Sequence, residues 1–115
     1  TSVQADVSRT YYGVAKAALN MLTQQIAVQY GRQGIRCNAV LPGFTVSQAT
    51  ERALPEEFKE AWLKHTLIRR LGEPRDQANA IVFFASDESS WITGQLMEVC
   101  GGYGLAAPMF GDIVE

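Results

Sequence analysis

Apolar residues recur at three- and four-residue steps between Thr10 and Tyr30, at Ala15, Ala18, Leu19, Leu22 and Ile26. That spacing lays one apolar face along a helix. Val14, Ala17, Met21 and Val28 widen the face, so the helix is expected to be buried on two sides. Gly31 and Gly34 follow as terminators, because glycine accepts the left-handed geometry beyond a helix end. Residues 35–41, "IRCNAVL", then read as a short strand ending at Pro42-Gly43. Residues 44–54 read as a loop. A second helix is expected from Pro55, which is pre-shaped for a first turn. Glu56 and Glu57 open it and Lys64 and His65 close it, complementing the helix dipole. A third helix starts near Pro74 with Ala78, Ile81, Val82 and Ala85 on one face, and "SDESS" ends it. Residues 95–100, "QLMEVC", make a second strand before "GGYG".

The expected order is therefore helix, strand, helix, helix, strand. Strands joined by helical crossovers belong to a parallel sheet in an α/β fold. Two such strands are too few for a stable sheet, since each needs helical cover and an unpaired edge is a liability. The pattern reads as the last part of a larger doubly wound domain. The chain opens at Thr1 without an initiator methionine and runs almost at once into the first helix, which points to a truncated chain.

Composition narrows the class. The 115 residues are 47% hydrophobic and 19% charged, an ordinary globular balance. A net charge of −2, with Arg69-Arg70 the only adjacent basic pair, argues against nucleic acid or an anionic membrane as partner. No apolar run has the length of a membrane span, and no secretory signal pattern stands at the start. Cys37 and Cys100 both fall in strand-like apolar runs, so they are expected to be buried free thiols in a reducing, cytoplasmic compartment. His65 is a lone histidine, better suited to ending its helix than to holding a metal.

One pair of residues carries chemistry. Tyr12 and Lys16 are four residues apart and share a helical face. Tyr11 is turned by about 100° from Tyr12, and four residues on it meets Ala15 instead. A phenol loses its proton near pH 10 or about there, and a neighbouring ammonium group stabilises the phenolate and lowers that value. Such a pair can exchange a proton with an alcohol or ketone as a general acid/base. The plain alternative is a packed tyrosine ring beside a lysine that snorkels to solvent.

The surroundings decide between these. "YGVAKAALNMLTQQIAVQYGRQGIRCNAVLPG" resembles the active-site helix and following strand of the short-chain dehydrogenase/reductase family. "RLGEPRDQANAIVFFASDESSWITGQLMEVCGG" resembles its last helix and strand. The likeness runs from about Ala5 to Gly104 and is nearest to the single-domain branch of hydroxysteroid dehydrogenases and 3-ketoacyl carrier-protein reductases. It implies the C-terminal part, residues 1–115, of one Rossmann-like NAD(P)-binding domain. It also implies hydride transfer between an alcohol and a ketone, with Tyr12 as proton donor or acceptor. Lys16 would lower the Tyr12 pKa and hydrogen-bond the cofactor ribose. Pro42 and Gly43 stand at the carboxyl end of a strand, where open α/β sheets bind ligands. In the family this turn flanks the nicotinamide, the backbone near Thr45 contacts its carboxamide, and Ser47 stands where a threonine often helps to hold the cofactor.

Departures from the family pattern matter as well. The family's catalytic serine lies farther upstream of Tyr12 than Thr1 reaches, and Ser2 and Ser8 fit its place poorly. The glycine-rich pyrophosphate turn has no counterpart, because "CGGYG" follows the last strand instead of the first. The residue that selects between NAD and NADP is missing too, so both cofactors stay open. Phe44, Phe58, Trp62 and Leu63 lie in or beside the segment that covers the substrate in this family and suit an apolar alcohol or ketone, while ordinary packing explains them equally well. Family members assemble as homo-dimers or homo-tetramers through the first helix and the last strand. The rival reading is a non-catalytic subunit or oligomerisation module built on the same helix. The chain alone is expected neither to bind the cofactor usefully nor to catalyse.

Overall fold

The structure, a computed structural model, describes residues 10–105, with side chains from Gly13 onward. Helix α1 spans Thr10–Tyr30. A 3₁₀ turn over Gly31–Gln33 follows, and Gly34 closes it with a left-handed φ of 81° and an N–H bond to the Gly31 carbonyl. Strand β1 is Ala39–Pro42. Helices α2 (Gln48–Ala53), α3 (Glu56–Lys64) and α4 (Pro74–Ala85) come next. A second 3₁₀ turn, Asp87–Ser89, leads to strand β2, Leu96–Val99. The two strands are neighbours in one sheet. Ala39 N–H donates to Gln95 O at 2.8 Å and Gly43 N–H to Val99 O at 3.0 Å, so partner numbers rise together and the pair is parallel. The three intervening helices form the crossover that a parallel pair requires.

The described chain gathers into two compact units, one holding residues up to Ala39 with Phe83–Met97, the other holding Val40–Val82 with residues from Glu98 on. In the first unit, α1 buries Asn20, Thr23 and Ala27, and half-buries Lys16 and Ile26. Small side chains on this stripe admit close neighbours: a Cβ added to Gly94 would touch Ala27 Cβ at 3.5 Å. Thr23 settles its hydroxyl on the Leu19 carbonyl at 2.9 Å.

This stripe is not the expected face. Val14, Leu19, Met21, Leu22 and Val28 are all more than half exposed, and Ala15 and Ala18 are exposed too. The helix is apolar nearly all round, so its period could not single out the side that packs. The third expected helix behaves alike. α4 half-buries Gln77, Ala80 and Phe84, while Ala78, Ile81, Val82 and Ala85 face outward.

The strand boundaries also need correction. Residues 36–38 do not form the regular strand pairing expected for residues 35–41; Arg36 and Asn38 bond through their side chains to the segment before β2, and Cys37 through its backbone, its N–H to Thr93 Oγ1 and its carbonyl to the Gly94 N–H. Arg36 Nη1 donates to Phe84 O and to Ser89 Oγ, both at 2.9 Å, and Nη2 to Ser86 O at 3.2 Å. It thereby joins Ser89 Oγ in satisfying the Phe84 carbonyl in the last turn of α4, where the helix itself supplies no donor. Asn38 donates to Ile92 O and accepts from the Gln95 N–H. Cys37 therefore precedes β1 and Cys100 follows β2; both are free but half-buried, not strand residues sealed in a core.

In the second unit, the expected loop 44–54 contains α2, which Ser47 caps by accepting the Thr50 N–H. A serine followed by a helix-compatible run is a start signal. α3 begins after Pro55 and has His65 as its C-cap residue, as expected. Trp62 stacks on Phe44 with ring centroids 4.8 Å apart and planes 11° apart, and also meets Phe58 and Tyr103. No helix among the described residues is long and apolar enough to cross a membrane.

α4 starts on an ion pair. Asp76 takes Arg70 as a two-toothed partner at 2.7 and 2.8 Å and reaches back to the Glu73 N–H at 2.7 Å, the acidic half of a capping box. The Arg70 bond, then the Glu73 N–H, hold the Asp76 carboxyl at about 2, below its usual 3.8. A depressed carboxyl stabilises the fold above its unfolded pKa and loses that contribution as pH falls through the folded one. In the intact protein, the melting-temperature gap between wild type and Asp76→Asn should hold steady above about pH 5 and narrow between about pH 4 and 2. Melting curves across that range check it; a gap that widens on acidification would contradict it.

Candidate functional site

Tyr12 and Lys16 both lie in α1, four residues apart along a regular helix. The Tyr12 side chain lies outside the described residues, as do Ser2 and Ser8. Lys16 is half-buried and stands one turn before Asn20 on the packed stripe of α1, not on its exposed side.

Pro42, Gly43, Thr45 and Ser47 come together in the second unit, in the segment leaving β1. Gly43 is chosen by space. A Cβ on it would sit 2.6 Å from Cys100 Cα and 2.7 Å from Cys100 Cβ, so only a glycine lets the turn lie against the end of β2. Its N–H bonds Val99 O at 3.0 Å. Thr45 Oγ1 donates to Gly43 O at 3.1 Å and accepts from Gln77 Nε2 at 3.2 Å. Gln77 Nε2 gives its other proton to Val99 O at 2.9 Å. Four residues thus close a ring of hydrogen bonds around the turn.

Beyond the ring, Thr45 forms a parallel bridge with Gly72. Its bonds are Gly72 N–H to Phe44 O at 3.2 Å and Val46 N–H to Gly72 O at 2.9 Å. In such a bridge the bonded groups belong to the residues flanking Thr45, and its own N–H and C=O point the other way. One donor and one acceptor side by side on a fixed backbone complement a carboxamide, which presents the same two functions in reverse. The residues present therefore fit the nicotinamide end of a dinucleotide. Ser47 Oγ accepts from Thr50 N–H at 3.3 Å and lies 3.0 Å from Thr50 Oγ1, a hydroxyl pair in which either oxygen can donate.

The sequence pattern does not single out Gln77. Its signal was an amide on the face of α4 that carries Ala80 and Phe84, and it passes unnoticed while Ala78, Ile81 and Val82 look like the buried face. Among the described residues, no three His, Cys, Asp or Glu side chains cluster as metal ligands.

Comparison with known proteins brings independent information. A family model described as Enoyl-(Acyl carrier protein) reductase matches residues 1–104. The chain is 46% identical over 111 residues to a 7alpha-hydroxysteroid dehydrogenase of Clostridium sardiniense, covering 96% of this chain and 42% of that protein. A solved 7 alpha-hydroxysteroid dehydrogenase complexed with NADH and 7-oxo glycochenodeoxycholic acid superposes with a TM-score of 0.77 at 37% identity, over 87% of this chain and 39% of that one. A 4-hydroxyisoleucine dehydrogenase complexed with NADH gives a TM-score of 0.84 at 28% identity, over 92% and 44% respectively. The chain spans about two-fifths of the length of the curated relatives it matches. These likenesses bear out the expected α/β, Rossmann-like fold.

The crowding at Gly43 carries a direct consequence. Gly43→Ala should destabilise the intact protein by about 1–3 kcal/mol, the range for overpacking against atoms that have nowhere to move. Urea unfolding checks this; a change within about 0.5 kcal/mol, as for a neutral surface substitution, would show that the turn is loose.

Proposed function

The chain belongs to the short-chain dehydrogenase/reductase family, and from that premise we propose that the protein carrying it is an NAD(P)-dependent oxidoreductase interconverting an alcohol and a ketone. The observation that supports this most is the turn after β1, where Gly43 is pressed against Cys100 and Thr45 keeps a backbone donor and acceptor outside the Gly72 bridge. In this reading the chain is the C-terminal part of one NAD(P)-binding domain, which its coverage of 42% of a relative's length supports.

Each residue then has a task. Pro42 and Gly43 bring the backbone close to the ring, and Thr45 orients its carboxamide. Ser47 Oγ, which accepts from Thr50 N–H and lies 3.0 Å from Thr50 Oγ1, donates to the cofactor when Thr50 Oγ1 is the donor of that hydroxyl pair. Lys16 holds the ribose and stabilises the Tyr12 phenolate. When bound, the nicotinamide takes up or supplies the hydride at the carbinol carbon. Tyr12 accepts the hydroxyl proton as the alcohol becomes a ketone, and returns it in reduction. NAD and NADP both fit this scheme.

Substrate and assembly follow with the same standing. The Phe44, Phe58, Trp62 and Tyr103 cluster presents aromatic surface in the unit that holds the turn, which favours an apolar secondary alcohol. A hydroxysteroid is the first to try, given the relatives. The exposed apolar stripe of α1 supports a homo-dimer or homo-tetramer, and two free cysteines suit the cytoplasm.

The proton assignment is tested by paired substitutions in the intact protein. Tyr12→Phe should lower kcat by about a hundredfold or more, the scale of general acid/base catalysis, with cofactor affinity nearly unchanged; Tyr11→Phe should do far less. Steady-state kinetics and cofactor titration read both, and a larger loss for Tyr11→Phe would reverse the assignment. Lys16→Met should weaken cofactor binding and move the pH–rate profile upward, since phenolate without its cation forms only at higher pH. Normal affinity with an unmoved profile would remove Lys16 from the site.

A further inference from the structure

We infer that Gln77 is a positioning residue for the nicotinamide end of the cofactor, acting through Thr45; this rests on the functional reading above. The amide stands where side-chain bonds join α4, the turn after β1 and the end of β2. Nε2 has two protons and spends both, one on Thr45 Oγ1 at 3.2 Å and one on Val99 O at 2.9 Å. Val99 O also takes the Gly43 N–H at 3.0 Å, so both of its lone pairs are used.

The orientation of the amide is fixed by this arrangement. Flipping it would set Oε1 against the Val99 carbonyl, acceptor against acceptor. In the orientation observed, Oε1 is buried and meets no donor among the described residues. A buried acceptor without a donor is unfavourable, and an apolar side chain at this position would avoid it. A residue chosen only to fill space would not be an amide. What the amide supplies is the bond to Thr45.

That bond sets a dihedral angle and, through it, a direction. With Oγ1 held between Gln77 and Gly43 O, the Thr45 side chain is locked on one side of the backbone. The Gly72 bridge locks the flanking peptides. The Thr45 N–H and C=O are left with one orientation, ready for a planar carboxamide. Without Gln77 the hydroxyl keeps only its bond to Gly43 O, and the turn loses its side-chain tie to α4.

Two ligands separate this role from a structural one. In the intact protein, Gln77→Met keeps length and removes the donor. Its affinity for reduced dinucleotide should fall on the order of tenfold, while affinity for ADP-ribose, which has no nicotinamide, should stay within about twofold. Thr45→Val should give the same split, and the double variant should lose no more than the worse single one, because both break one ring. Gln77→Glu, which keeps size and polarity but puts an acceptor opposite Val99 O, should repeat the split, and serves if Gln77→Met does not fold. Equal weakening of both ligands, or of neither, would overturn the positioning role. A wild-type protein that binds ADP-ribose and dinucleotide equally, with no gain from the nicotinamide, would instead overturn the functional reading and this inference with it.

Discussion

The carbonyl oxygen of Val99, the last residue of β2, accepts two hydrogen bonds, one from the Gly43 N–H and one from the Gln77 amide. The carboxyl end of β1 depends on that atom. The parallel ladder brings β1 to it, the missing Cβ of Gly43 lets the chain lie close enough to use it, and α4 reaches it through Gln77. Thr45 is then fixed by what these three supply. Buried polar groups joined in a closed network define one geometry more sharply than apolar contact of the same area.

Element existence was largely legible in the sequence, and packing direction was not. Pro55 and Pro74 each mark a helix start within a residue, because a proline lacking an N–H has few other comfortable places. Gly34 marks the end of the first helical run through its left-handed φ of 81°. The faces of α1 and α4 were misread for a shared reason. An apolar stripe does not name the side that packs, and the less exposed positions of these helices include small and polar side chains: Asn20, Thr23 and Ala27 on α1, Gln77 and Ala80 beside Phe84 on α4. Strand length was overestimated because Arg36, Cys37 and Asn38 sit beside true strand residues and look continuous with them. Arg36 and Asn38 bond through their side chains to carbonyls and an amide that no local pattern announces.

The site divides in the same way. The spacing of Tyr12 and Lys16 is a helical fact and was visible in a dozen residues of sequence. Pro42-Gly43 was visible as a turn, but the reason for its glycine, the contact with Cys100, is long-range. Ser47, expected as a cofactor contact, is the cap that starts α2, a role that the expected loop concealed. Gln77 was invisible because its partners, Thr45 and Val99, lie 32 and 22 residues away.

In the proposed reading the backbone of Thr45 receives the nicotinamide carboxamide, and residue-resolved amide hydrogen exchange on the intact protein reads that contact. The Thr45 N–H should exchange readily in the free protein, slow markedly with dinucleotide bound, and stay fast with ADP-ribose. Exchange at Thr45 that is already slow in the free protein, or that dinucleotide leaves unchanged, would contradict it.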